Sequence, residues 1–215
     1  MKTIFGTFIM ASFILAMCVM SRAAEHEEIV YGLAKEYYER GDYFNAITEA
    51  MRYRFLFPKG AYYAESMILE GKAYWKGKNP SLALDAMTRC FETYPDKEAG
   101  ERALLYSGQM RLMSGSSYFA HRTFLTYEYL FKTGAYAEEV LSDKCFALAM
   151  MGELEESKSL IAAYREKYGE GKYHSSLNDL EKLIDNETMR GKKSYALALG
   201  GSAIIPGFGH FYAGD

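Results

Sequence analysis

The stretch Ala34-Lys35-Glu36-Tyr37-Tyr38-Glu39-Arg40-Gly41-Asp42-Tyr43-Phe44-Asn45-Ala46 decides the fold. Ala34 and Tyr37, a small residue and an aromatic three positions on, share one face of a helix. Gly41 ends that helix, because glycine enters the left-handed conformation of a helix C-cap without a steric penalty. A second apolar helix is under way four residues later, and Ala46 is small where the two helices are expected to cross. Pro58 then closes the second helix by withholding a backbone donor. The segment reads as a helical hairpin.

The hairpin recurs. Ala46, Ala83, Ala120 and Ser157 are each 37 residues apart, and the same step relates Ala34, Gly71, Gly108 and Cys145. It also relates Gly41, Lys78, Gly115 and Gly152, with Gly77 one place early, and it carries Tyr37 to Tyr74 and Pro58 to Pro95. Several registers agreeing on one period mark a chain of supersecondary units that bury their apolar faces against one another.

The order small, aromatic, Gly, Ala, aromatic, Pro resembles the tetratricopeptide repeat (TPR) family, most clearly in the first hairpin. The resemblance covers four repeats, 27–60, 64–97, 101–134 and 138–171, within a domain spanning 25–171. Repeats 3 and 4 depart from the pattern: Arg111 and Leu148 stand where Tyr37 and Tyr74 do, and Lys132 and Gly169 replace the prolines. It implies an all-α, TPR-like helical-hairpin solenoid. Leu177, Leu180, Leu183 and Ile184 then form a one-sided stripe on a helix over 174–190, expected to cap the last repeat.

By register, the family's groove-lining positions fall on Tyr31, Lys35 and Tyr38 in repeat 1 and on Ile68, Lys72 and Trp75 in repeat 2. Repeats 3 and 4 contribute Leu105, Gln109, Leu112, Ser142, Phe146 and Ala149. The resemblance implies a concave face that binds a protein or peptide partner, with Lys35 and Lys72 placed for a carboxylate and Tyr38 and Trp75 for an apolar anchor. The asparagines of the chaperone-tail-binding clamp are absent.

Composition excludes other classes. The 215 residues carry 25 Lys+Arg against 28 Asp+Glu, so there is no basic footprint for nucleic acid. His26, His121, His174 and His210 lie in four different segments without ligand-spaced Cys, Asp or Glu, and neither a metal site, a cofactor, a small-molecule substrate nor a catalytic set is expected. Cys90 and Cys145 fall about two layers of the stack apart, beyond disulfide reach, and read as buried thiols. The pairs Glu27-Glu28, Glu138-Glu139 and Glu155-Glu156 read as solvated helix starts complementing the dipole.

Both ends read as targeting segments. Lys2 precedes an uncharged run from Ile4 to Met20, and Ser21-Arg22-Ala23 fits cleavage after Ala23, which makes 1–23 a secretory signal peptide. An uncleaved anchor is the alternative, and a lipobox at Cys18 is disfavoured by the bulky Met17. Tyr195 to Gly214 holds no charged residue, and Pro206-Gly207-Phe208-Gly209-His210-Phe211-Tyr212-Ala213-Gly214 resembles the turn of small bacterial membrane-protein families related to the two-helix TM2 domain. The eleven residues before Pro206 make about 16 Å of helix, too short to span a bilayer. The expectation is a membrane-associated tail over 194–215 in a truncated chain. Arg190, Lys192 and Lys193 oppose an exported topology by the positive-inside rule. The function expected is that of a non-enzymatic adaptor or scaffold, periplasmic and attached to the inner membrane. The alternative is an extracytoplasmic regulatory or scaffolding domain of a longer integral membrane protein.

Overall fold

The computed structural model describes residues 25–190; the signal-peptide, lipobox and tail readings lie outside them. Among the described residues the secondary structure is helical throughout: α1 (25–39), α2 (Tyr43–Leu56), α3 (Tyr63–Lys76), α4 (Pro80–Thr93), α5 (Glu98–Met113), α6 (Ser117–Leu130), α7 (Ala137–Met151), α8 (Leu154–Tyr168) and α9 (His174–Arg190). The all-α, helical-hairpin class is as the repeats imply. The described residues divide into two compact units, 25–77 and 78–190.

Local chemistry sets the helix ends. The Asp42 carboxylate caps α2 by accepting the Asn45 N–H at 3.2 Å, and the Asn79 side chain accepts from Leu82 N at 3.4 Å ahead of Pro80. At the hairpin turns Gly41, Gly115 and Gly152 have φ of 79°, 75° and 86°. The next residue's N–H then closes back on the carbonyls of Tyr37, Arg111 and Leu148, at 2.9, 2.9 and 3.0 Å. Those three positions contribute a main-chain carbonyl to the turn, which explains why their side chains differ freely. In repeat 2 the left-handed residue is Lys78, φ 60°, while Gly77 has φ −73°. The early glycine therefore leaves the period intact, and a lysine holds the strained position.

The small registers are interior. Ala34 and Cys145 are fully buried, as are Ala46, Ala83, Ala120 and Ser157. In the first unit Ala34, Tyr38, Ala46, Ala50, Leu69 and Ala73 form one core, with Tyr37, Tyr43 and Ile47 packed against it. In the second unit Ser157, the one polar member of its register, donates its hydroxyl to the Cys145 carbonyl at 2.9 Å and so buries no unmade bond. Cys90 and Cys145 are buried free thiols, and burial pushes the Cys145 thiol up to about 12.

A polar latch joins each of three hairpins to the chain that follows it. Tyr53, Tyr127 and Tyr164 recur at the same 37-residue step and are at most 1% exposed. Tyr53 donates to Glu27 at 3.1 Å, Tyr127 to Glu101, and Tyr164 to Glu138 at 2.6 Å. Each hydroxyl oxygen in turn accepts a backbone N–H nine residues on, from Tyr62 (2.9 Å), Tyr136 (3.0 Å) and Tyr173 (3.0 Å). The carboxylates take amides as well: Glu27 from Ala61 at 3.0 Å and Glu138 from Lys172 at 2.8 Å. Glu27 and Glu138 are thus tertiary acceptors, correcting the reading of their pairs as solvated caps; Glu155 and Glu156 are exposed in the first turn of α8.

The latch leaves no room for a side chain beside it. A Cβ at Gly60, Gly134 or Gly171 would lie 2.2 Å from the Tyr53 hydroxyl, 2.3 Å from Glu101 Oε1 or 2.4 Å from Glu138 Oε1. In repeat 2 the three positions change together, to Ala64, Cys90 and Lys97, and the Cys90 thiol instead faces the Ala99 carbonyl at 3.8 Å.

A second periodic contact couples the second (B) helix of a hairpin to the helix that follows it, the first (A) helix of the next unit, at three of the four junctions. Arg54 pairs with Glu70 in the first unit, and Lys144 with Glu128 (2.7 Å) and Arg165 with Glu181 (2.6 Å) in the second. The register is constant while the sign reverses at Glu128–Lys144. At the second junction the same positions hold Phe91 and Ser107.

Candidate functional site

The groove positions fall on the A helices, and the structure gives them unequal access. In the first unit Lys35 is exposed, Tyr31 and Trp75 are half-buried, and Tyr38, Ile68 and Lys72 are buried. Tyr31 stacks on Tyr62 with ring centroids 4.7 Å apart and planes 8° from parallel. The Lys72 ammonium lies 5.7 Å from the Tyr38 ring centroid, a cation–π geometry that fixes two of the expected contact residues on each other. Lys35 and Lys72 thus differ in environment although their registers match.

In the second unit Leu105, Gln109, Leu112, Ser142, Phe146 and Ala149 are all buried. Gln109 organises a polar cluster among them. Its amide donates to Glu139 Oε1 at 2.8 Å and to Asp143 Oδ2 at 2.9 Å, which ties α5 to α7. Asp143 is fully buried, and its carboxyl is held well above the usual carboxylate range by burial first and by the neighbouring Glu139 charge second, with the Gln109 bond opposing. Its Oδ1, the Gln109 Oε1 and the Ser142 hydroxyl make no protein hydrogen bond within the cluster. Burial and then the Glu139 charge also raise the pKa of Tyr173, which hydrogen-bonds Glu139.

A cavity of about 400 Å³ opens beside this cluster, lined by Arg102, Leu105, Tyr106, Glu139, Lys172 and Tyr173 among others. Its wall combines two cations, carboxylate and aromatic surface, which suits a segment of mixed polarity such as a peptide. Of the sequence-derived residues it contains Leu105, with Gln109 directly behind Glu139. Asp143 and Tyr173 were not singled out, and Glu139, read as part of a solvated helix start, is instead buried and accepts from Gln109. Gln109 and Asp143 lie 34 residues apart, and no helix periodicity relates residues on separate hairpins. The histidines remain scattered: His26 packs edge-on against Phe57, ring centroids 5.6 Å apart, and burial lowers the pKa of His121. Among the described residues no cluster of His, Cys, Asp and Glu could hold a metal ion, and no helix is long and apolar enough to cross a membrane.

The arrangement places the chain in a structural class. A solved structure of a Podosopora anserina kinesin light chain-like protein, with nearly identical TPR-like repeats, superposes with a TM-score of 0.62 over 89% of this chain and 98% of its own, at 10% sequence identity. The fold is that of a TPR-like helical repeat protein. No protein-family model matches the sequence, and no curated protein does.

Proposed function

We propose that the chain is a non-enzymatic protein–protein interaction module, an adaptor or scaffold of the bacterial cell envelope. The observation that carries this reading is the cavity beside Gln109, Glu139 and Asp143, on the A helices of a fold whose usual work is binding other proteins. Cationic, anionic and aromatic groups on one wall recognise a peptide segment through hydrogen bonds and apolar contact together, and helix packing pre-organises them. In the first unit the accessible A-helix residues Tyr31, Lys35 and Trp75 supply further contact surface.

Export rests on the leader-like Met1–Ala23 stretch, and attachment to the inner membrane on the uncharged Tyr195–Gly214 tail. That tail also favours the second reading, in which the repeats are an extracytoplasmic regulatory part of an integral membrane protein and their contacts are intramolecular.

The experiment is affinity capture from envelope extract with the full chain, in parallel with Arg102→Ala, Lys172→Ala, Lys35→Ala and Trp75→Ala. The reading expects one protein recovered by the parent and lost with Arg102→Ala or Lys172→Ala. Capture unchanged by all four substitutions, or no specific capture, overturns it.

A further inference from the structure

A second surface lies between α5 and α6 of repeat 3, lined by residues other than those the TPR resemblance selects. Leu104 and Arg111 of α5 and Tyr118, Phe119, Arg122 and Thr126 of α6 line an open cleft of about 480 Å³. Phe119 and Tyr118 are 57% and 54% exposed, their rings edge-to-face at 5.5 Å. Arg111 lies with its guanidinium carbon 5.9 Å from the Phe119 centroid, which holds the cation over the ring, and its buried Nε has no hydrogen-bond partner. Neither Arg111 nor Arg122 makes an ion pair among the described residues, although Arg54, Arg89 and Arg165 all do. Thr123 and Thr126 turn their hydroxyls back onto the Phe119 and Arg122 carbonyls, at 2.8 and 3.0 Å, so those donors are already used within α6.

The set belongs to repeat 3 alone. One repeat earlier the same positions hold Tyr74, Ser81, Leu82 and Asp85, and one repeat later Leu148, Glu155, Glu156 and Ser159. Arg111 is also the residue that breaks the aromatic register of repeats 1 and 2. Its carbonyl closes the turn as in the other repeats, while its guanidinium is held at the cleft over Phe119.

We infer that this cleft is a docking site for an acidic segment of a partner protein, one that presents carboxylates on either side of an apolar side chain. Charge complementarity identifies the occupant. Two guanidiniums without carboxylate partners accept two carboxylates, bidentately where geometry allows, and the Tyr118–Phe119 surface between them covers an apolar side chain. This surface stands apart from the A-helix cavity, so the two proposals can fail separately.

The test is fluorescence anisotropy with the full chain and a labelled nonapeptide carrying a central leucine flanked by glutamates. Two control peptides replace the glutamates by glutamine and by lysine. Saturable binding of the acidic peptide alone is expected, weakened about tenfold by Arg122→Gln and by Arg111→Gln and unchanged by Lys182→Gln, which removes an exposed charge elsewhere. Arg122 is exposed, so its variant tests the site without disturbing packing. The proposal is overturned if no saturation is reached by about 1 mM peptide, or if the glutamine peptide binds equally. It also fails if Arg122→Gln binds as the parent does, or if anionic phosphatidylglycerol vesicles are bound through Arg122 and the peptide is not.

Discussion

Tyr164 donates its hydroxyl hydrogen to Glu138 across 2.6 Å while accepting the N–H of Tyr173, so one buried oxygen joins the end of one hairpin to the start of the next helix. Burial, with the Glu138 bond second, pushes the hydroxyl up to about 12, so it remains a donor throughout the physiological range. Tyr164→Phe keeps the ring and leaves the Tyr173 N–H without its acceptor. The expected loss is about 1–3 kcal/mol in urea unfolding, with Tyr173 amide exchange accelerated beyond that of helix-interior amides. Tyr127→Phe should act in the same way on Tyr136.

Lys78 occupies the left-handed position that glycine holds in the other three hairpins. Lys78→Gly is expected to raise stability by about 1 kcal/mol, by relieving the clash of Cβ with the following carbonyl. Gly115→Lys, the converse change at the equivalent turn, should lower it by a similar amount, read from the urea midpoints of both variants.

Asp143 carries a pH dependence of known sign. Its native pKa is raised, so the native state keeps a proton that the unfolded chain releases. The stabilisation is complete below the unfolded-state value near 4 and is lost as pH rises towards the native one. Asp143→Asn removes that dependence while its amide oxygen still accepts from Gln109. Relative to the parent, the variant should gain stability between pH 5 and pH 8, by about 1.4 kcal/mol for each unit of native shift falling in that interval. Denaturant titrations at the two pH values measure the gain.

The Glu128–Lys144 pair can be reversed to match its counterparts. Lys144→Glu alone places two carboxylates together and should cost about 1 kcal/mol. Adding Glu128→Lys should recover most of that loss, and a double-mutant cycle on unfolding free energies measures the coupling.

The hairpins were legible because helix crossings demand small side chains, and Ala46, Ala83, Ala120 and Ser157 display that demand directly. The latch was equally periodic but harder to read. Glu27 and Glu138 sit where helix starts favour acids anyway, so an ordinary electrostatic explanation concealed their tertiary role. The overlooked signal was Tyr53, Tyr127 and Tyr164, since a tyrosine in an interior register needs a partner for its hydroxyl. The A-helix positions were legible as a face. Their cover was not: Lys72 lies against Tyr38 and Gln109 is held by α7, and both depend on distances between helices that a sequence period does not contain.

The single reversed ion pair also bears on which wrong helix pairings the charges oppose. In a run of similar hairpins the nearest competitor to the native structure is a helix seated against the wrong neighbour. A slip of two repeats would set Arg54 against Lys144, and a slip of one would set Glu128 against Glu181. The reversed polarity at Glu128–Lys144 therefore sets like charges against each other in both of these slips, a repulsion the native pairing does not carry.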